Sequence, residues 1–406
     1  MLSAMVAICT IGDSATPVSS LLKFTSGILN CTVRRAGALG EAGRMAAMRG
    51  WLLIAFALNA GLACAPDHAS RLEADNPVRP LAPPPYGMEE FFKEAPQQPA
   101  PVRARLGRWL FFDARLSADG TVSCATCHRP SHAFSEPTPV ATGVKGGRGT
   151  RKTPGIINLA ARTVLPDRPD DREQFFFWDG RATGLENQVL GPIANAKEMG
   201  LDHDAMVERF SGIRGYAPYF REAYGSDAIT RERVAAALAD YVRTRMSGNS
   251  AYDKWAYGRD GRALSEQAQR GSELFFFNAR CAVCHAGFNF SDGRFHSLGI
   301  GWNAATRSFA DEGRVLVTGN PRDRGAFKTP GLRDVSRRAP YMHDGSLKTL
   351  REVVEFYNRG ASGPNGGRGR LMPLRLAAAQ IDELVAFLQS LDGEGYQDQA
   401  PRYFPR

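Results

Sequence analysis

Cys124-Ala125-Thr126-Cys127-His128 and Cys281-Ala282-Val283-Cys284-His285 decide how this 406-residue chain is read. Each is Cys-x-x-Cys-His, the attachment signature of c-type haem. Two thiols add to the two vinyl groups of a porphyrin, and the adjacent imidazole reaches the iron from the same side. One helical turn carries both sulfurs to one porphyrin edge. Three other uses of such cysteines explain less. A dithiol redox site needs Cys-x-x-Cys but not His in the next position, twice. A zinc site drawing on both pairs would reach from residue 124 to residue 284 and leave both trailing histidines to chance. A disulfide across a two-residue gap closes a strained loop. Two complete matches therefore imply two covalently attached c-type haems.

The flanks of the motifs match as well. Leu106-Gly107-Arg108-Trp109-Leu110-Phe111-Phe112-Asp113 precedes the first motif. Ala268-Gln269-Arg270-Gly271-Ser272-Glu273-Leu274-Phe275-Phe276-Phe277 precedes the second. Each reads as a lead-in helix that brings aromatic rings to a haem edge. The stretch Arg231–Met246 has Val234, Leu238, Tyr241 and Val242 at helical core spacing, and Leu376–Leu391 has Ile381, Leu384, Val385 and Leu388. Convincing strand alternation is absent. The expected fold is mainly α: two cytochrome c-like helical domains, 101–246 and 263–395, each enclosing one covalently bound c-type haem and joined near 247–262.

The first 65 residues read differently. Arg44-Met45-Ala46-Ala47-Met48-Arg49-Gly50 gives a basic start, Trp51 to Leu62 an apolar run, and Ala63-Cys64-Ala65 a small-residue end. That is the pattern of a secretory signal, with the true start at Met45 or Met48, and it is too short for a transmembrane helix. A buried apolar helix and a lipidated Cys64 are the competing readings. Residues 66–100 are Pro-rich, with Pro83-Pro84-Pro85, and read as an extended lead-in. Of seven cysteines, Cys9, Cys31 and Cys64 fall in the presequence, and the other four belong to the haem motifs. With 43% hydrophobic residues and 51 basic against 42 acidic side chains, the chain is neither disordered nor strongly polycationic. The formal charge of +9 is spread thinly, without a Lys/Arg run, so nucleic acid is not an expected partner. Part of that charge belongs to the presequence.

The text between the two motifs resembles the bacterial di-haem cytochrome c peroxidase/MauG family. The resemblance rests on Phe177-Trp178-Asp179-Gly180-Arg181-Ala182, on Leu185-Glu186 with Gln188-Val189-Leu190-Gly191-Pro192-Ile193, and on Glu198-Met199-Gly200. It continues in Phe327-Lys328-Thr329-Pro330-Gly331-Leu332-Arg333-Asp334-Val335 and Ala339-Pro340-Tyr341-Met342-His343-Asp344-Gly345-Ser346, and runs from about Leu106 to Leu391. The resemblance implies a peroxidatic first haem with His128 proximal and an open distal face. Gln188, Pro192 and Glu198 match the distal-pocket positions, and Glu198 is the candidate general acid/base. Trp178 matches the tryptophan between the haems, as an electron relay. His285 is then proximal at the second, electron-transfer haem.

Three departures bear on the branch of the family. Tyr357, in Val353-Val354-Glu355-Phe356-Tyr357-Asn358, falls where typical peroxidases carry a Met ligand and MauG-type enzymes a Tyr. An oxygen ligand favours oxidised iron, and Met342 and Met372 are the rival ligands. Val144, in Ala141-Thr142-Gly143-Val144-Lys145-Gly146-Gly147, falls where typical members carry a distal His that closes the first iron until the second is reduced. An open first haem is therefore expected, with His132 packed beside it rather than bound. Lys152 stands where the family has a calcium-binding Asn. An ammonium cannot ligate a cation, which puts that calcium in doubt. Lys152 is expected to take the cation's place and donate to carbonyls around Arg338 and Pro340. The resemblance implies reduction of hydrogen peroxide with electrons from a small periplasmic donor, a cytochrome c or a cupredoxin. The second reading is a MauG-like enzyme that oxidises side chains of a protein partner through a high-valent Fe(IV) state. A pure electron-transfer cytochrome would need neither Gln188 nor Glu198 at an open iron.

Overall fold

A computed structural model describes residues 9–10, 31–32, 67–86, 98–160, 174–360 and 372–406. Residues 1–71 and 72–406 form separate units. In the first, Cys9–Thr10 and Cys31–Thr32 pair as parallel strands. The expected signal at 44–65, with Met45, Met48 and Cys64, lies outside the described residues. Among the described residues no helix is long and apolar enough to cross a membrane. Residues 77–85 carry neither helix nor strand.

The second unit is built twice from the same parts. Helix α1 (Pro101–Phe112) starts on a proline, whose missing N–H costs nothing in a first turn, and buries Leu106, Trp109, Leu110 and Phe111. It leads to the first haem motif. Helix α2 (Leu185–Ala194) follows, and α3 (Arg231–Arg243) crosses α1. Thr230 caps α3 by accepting from Arg233 N–H. In the second half, α4 (Glu266–Glu273) leads to the second motif, and α5 (Leu350–Arg359) and α6 (Ala378–Gln389) complete the set. The two cores are distinct hydrophobic clusters, one around Trp109, Phe111, Phe134 and Tyr241, the other around Phe275, Phe290, Leu384 and Phe387.

Each half turns on one close helix crossing. A Cβ on Gly107 of α1 would lie 1.8 Å from Ala237 O and 2.9 Å from Tyr241 Cβ of α3. A Cβ on Gly271 of α4 would lie 1.9 Å from Glu383 O and 2.9 Å from Phe387 Cβ of α6. Only glycine lets the backbones touch. The rings beside the crossings repeat too: Phe111 packs on Tyr241 at 4.9 Å and 50°, and Phe275 on Phe387 at 4.9 Å and 52°.

Strands are confined to short pairs. Strand β1 (Phe175–Phe176) pairs antiparallel with β2 (Ala182–Thr183), and β3 (Phe295–Ser297) with β4 (Ala326–Lys328). The stretch expected to join the domains holds a helix, Ala251–Ala256, whose Tyr252 belongs to the second core. There the buried Asp253 carboxylate accepts two bonds from Arg333, at 2.6 and 2.8 Å. The C-terminal segment returns to the first core. Trp109 Nε1 donates to Tyr403 O at 3.1 Å, and Asp398 accepts from Arg108, Tyr241 and Arg245.

Candidate active site

The Cys124–Cys127 turn is held at its start by Thr126 Oγ1, which accepts from Ser123 N–H at 3.0 Å. Ala133 and Phe134 then adopt positive φ, 49° and 53°, and turn the chain back on His128. As a result His128 Nδ1 meets Phe134 O at 3.0 Å. The second site repeats this: Phe290 has φ of 52°, and its carbonyl lies 2.8 Å from His285 Nδ1. A carbonyl can only accept, so Nδ1 carries the proton and Nε2 is left as a lone-pair donor. Burial holds both imidazoles below their usual pKa, which keeps them neutral, as an iron ligand must be. Burial also pushes the Cys124, Cys127 and Cys281 thiols up to about 12. Thiols and a neutral, oriented imidazole are the donor set of a c-type haem, so the residues present fit the group.

A cavity of about 760 Å³ opens on the first motif. Cys124, Cys127 and His128 line it, and so do Trp178, Gln188, Pro192 and Glu198. Seven residues read from separate motifs thus share one space. Gln188 and Pro192 stand four apart on α2, on one helix face. The helix stops at Asn195, whose side-chain amide donates to Glu198 Oε1 at 2.8 Å. Burial raises the Glu198 carboxyl above its ordinary pKa, while the Arg181 charge and the Asn195 hydrogen bond pull it part of the way back. Trp178 follows β1, with Nε1 donating to Lys152 O at 2.7 Å and its carbonyl accepting from Lys328 N–H at 2.7 Å.

Val144 is buried away from that cavity, and its N–H donates to Glu198 O at 2.8 Å. The loop that carries it therefore braces the Glu198 segment. His132 is half-buried and meets Ser131 Oγ at 3.1 Å through Nδ1. Lys152 is buried, but its ammonium donates to Glu136 O and not to carbonyls at 338 or 340. The half-buried Arg338 guanidinium disfavours the Lys152 charge. Arg338 itself donates to Gly331 O and Arg333 O, and repulsion between the two cations opposes placing the Lys152 ammonium among the carbonyls beside it.

The second motif has its own surroundings, and Cys281, Cys284, His285 and Tyr357 do not line the first cavity. Tyr357 sits on α5 within electrostatic reach of Cys281 and Cys284, and burial drives its phenol pKa well up. Of the rival ligands, Met372 is 65% exposed, and Met342 lines the first cavity instead. Asp292 and His296 lie against Cys284 in a group that could hold a metal ion. Cys284 is part of the second Cys-x-x-Cys-His motif, so this group belongs to that site.

Comparison with known proteins decides the family. A model of the di-haem cytochrome c peroxidase family matches residues 101–261, and a cytochrome c model matches 268–392. The methylamine utilization protein MauG of Methylophilus methylotrophus is 36% identical over 321 residues, 77% of this chain and 91% of that protein. The chain belongs to the di-haem cytochrome c peroxidase/MauG family.

Both branches of this family are represented among its relatives. Cytochrome c551 peroxidase of Nitrosomonas europaea is 33% identical over 292 residues, 72% of this chain and 80% of that one. A crystal structure of a MauG-like protein associated with microbial copper homeostasis aligns with TM-score 0.64 and 30% identity, covering 78% of this chain and 95% of that chain. The family fixes two cytochrome c-type domains and an oxidoreductase of the peroxidase class. Sequence reading missed Asn195 and Arg181 as neighbours of Glu198. Asn195 stands in none of the motifs, and Arg181 entered only as one letter of Phe177-Trp178-Asp179-Gly180-Arg181-Ala182.

Proposed function

We propose that this di-haem protein reduces hydrogen peroxide to water at the first haem. Electrons would come from a small exported redox protein, a cytochrome c or a cupredoxin, through the second haem. One observation carries the reading: Glu198, with proton affinity raised by burial, shares the His128 cavity with Gln188 and Pro192. The haem supplies the redox chemistry when bound, and the protein supplies binding, orientation and proton handling. His128 and His285 would hold the two irons through Nε2, the four motif cysteines would form the thioether bonds, and Tyr357 would offer an oxygen ligand at the second. Peroxide must release a proton at one oxygen and gain one at the other as its O–O bond breaks. A carboxyl that binds its proton tightly can perform both transfers. Gln188 supplies an amide to orient the peroxide, and Pro192 contributes an apolar wall without an N–H. Trp178 carries electrons between the domains. Lys152 replaces the calcium ligand, so calcium has no role in turnover. The protein is exported to the periplasm by its N-terminal signal.

Tyr357, within electrostatic reach of the Cys281 and Cys284 thiols, favours a second reading, a MauG-like oxidation of side chains on a protein partner. Haem-loaded protein should oxidise a reduced cytochrome c or copper protein only with peroxide present, and a calcium chelator should not slow it. Glu198→Gln should lower kcat about 10²–10⁴-fold, with haem content retained. Unchanged turnover in that variant contradicts the assignment of Glu198. Peroxide-driven modification of a protein substrate, with small donors unreactive, supports the second reading.

A further inference from the structure

The surroundings of the two proximal histidines are repeated residue by residue. Phe134-Ser135-Glu136 corresponds to Phe290-Ser291-Asp292, and Lys152-Thr153-Pro154-Gly155 to Lys328-Thr329-Pro330-Gly331. In each half the Phe carbonyl meets the histidine Nδ1, at 3.0 and 2.8 Å. In each, the Ser hydroxyl donates to the Thr carbonyl, at 2.7 Å both times. Lys152 and Lys328 are therefore equivalent positions of one duplicated site.

Both ammonium groups are set in places that disfavour charge. Burial lowers the pKa of each from 10.5 to about 8. Each donates to a main-chain carbonyl, Lys152 to Glu136 O and Lys328 to Phe175 O at 2.6 Å. An ammonium has three donors, so capacity is left over. Among the described residues, no carboxylate oxygen lies within 4.0 Å of either nitrogen. The two nearby acids are engaged elsewhere: Glu136 accepts from the Thr153 hydroxyl, and Asp292 from Arg294 N–H and His296. Both lysines line the cavity beside the first motif. Trp178 holds the pair in register, with its indole bonded to the carbonyl of Lys152 and its own carbonyl to the N–H of Lys328.

Buried charges in proteins are paired, because an isolated one loses its hydration without return. The family's cofactor brings the missing partner, since each haem carries two propionate carboxylates. We propose that Lys152 and Lys328 are the propionate counter-ions, Lys152 for the first haem and Lys328 for the second. Trp178 is the spacer that fixes them between the two sites. A fixed positive charge beside a haem favours reduced over oxidised iron, because reduction removes one positive charge from the site. Each lysine thus raises the midpoint potential of its own haem. The inference requires haem loading alone and is independent of which substrate the enzyme oxidises.

The test is spectroelectrochemical titration of fully loaded protein without peroxide, with the haems distinguished by their absorption and EPR signatures. Lys152→Gln should lower the midpoint of the first haem and Lys328→Gln that of the second, each leaving the other haem nearly unmoved. Lys→Arg at either position keeps the charge and should keep the potential. Equal potentials in wild type and both Gln variants overturn the proposal, and so does a shift that Arg produces as fully as Gln. Should a Gln variant fail to take up haem, resonance Raman of the Arg variants decides. A changed propionate bending mode at the matching haem supports the contact, and unchanged modes at both haems overturn it.

Discussion

Glu198 owes its character to burial and two neighbours acting in opposite directions. Burial raises its carboxyl pKa, and Arg181 and Asn195 lower it again by charge and by hydrogen bond. Asn195→Ala removes a lowering influence, so the carboxyl should bind its proton to still higher pH. As a base Glu198 works deprotonated, so the acid limb of the kcat/KM profile should move to higher pH in this variant, and also in Arg181→Ala. Activity on the alkaline plateau should change little. An unmoved acid limb would show that neither group acts through Glu198. Cys124, Cys127, His128 and Glu198, which line one cavity, were legible because their residue types sit in long motifs with fixed spacing. Asn195 was not, because its role arises only when the chain turns after α2 and brings residues 195 and 198 together.

At the scale of elements, the lead-in helices and their partners were readable from period and composition, though not their ends. α3 runs Arg231–Arg243, shorter than the expected Arg231–Met246, because Thr244 Oγ1 takes the Tyr241 carbonyl at 2.6 Å. α6 likewise covers Ala378–Gln389 inside the expected Leu376–Leu391. The short strands left no alternation to read, yet β4 is what sets Lys328 beside Phe175. The crossing glycines were visible only as letters. Gly271→Val should push α4 from α6 and lower stability by about 1–3 kcal/mol or more, detected as a reduced denaturation midpoint. Gly107→Val should do the same in the first half. A variant with wild-type stability would mean the crossings can open without loss.

Across the whole molecule, the two halves share a plan and differ in what surrounds each Cys-x-x-Cys-His motif. The first motif opens on a cavity that holds Gln188, Pro192 and Glu198, and the second lies within electrostatic reach of Tyr357 on α5. The duplicated motif made the plan legible from sequence. The return of the C-terminal segment was not legible, since nothing in Tyr396 to Arg406 announces contacts with α1. Asp398 shows what that segment does. Burial opposes its charge, but the Arg108 hydrogen bond and the Arg245 and Arg108 charges prevail and hold its pKa low. The segment is thereby fastened to the core beneath the first haem motif.

We propose that the first haem is open and served by Glu198, with Val144 unable to close it. Rapid mixing of resting, fully haem-loaded ferric protein with one equivalent of peroxide, followed by absorbance and EPR, tests it directly. The expected result is immediate loss of a five-coordinate high-spin signal without prior reduction, and a slower loss in Glu198→Gln. Two six-coordinate low-spin haems that stay inert until an electron is supplied would contradict it.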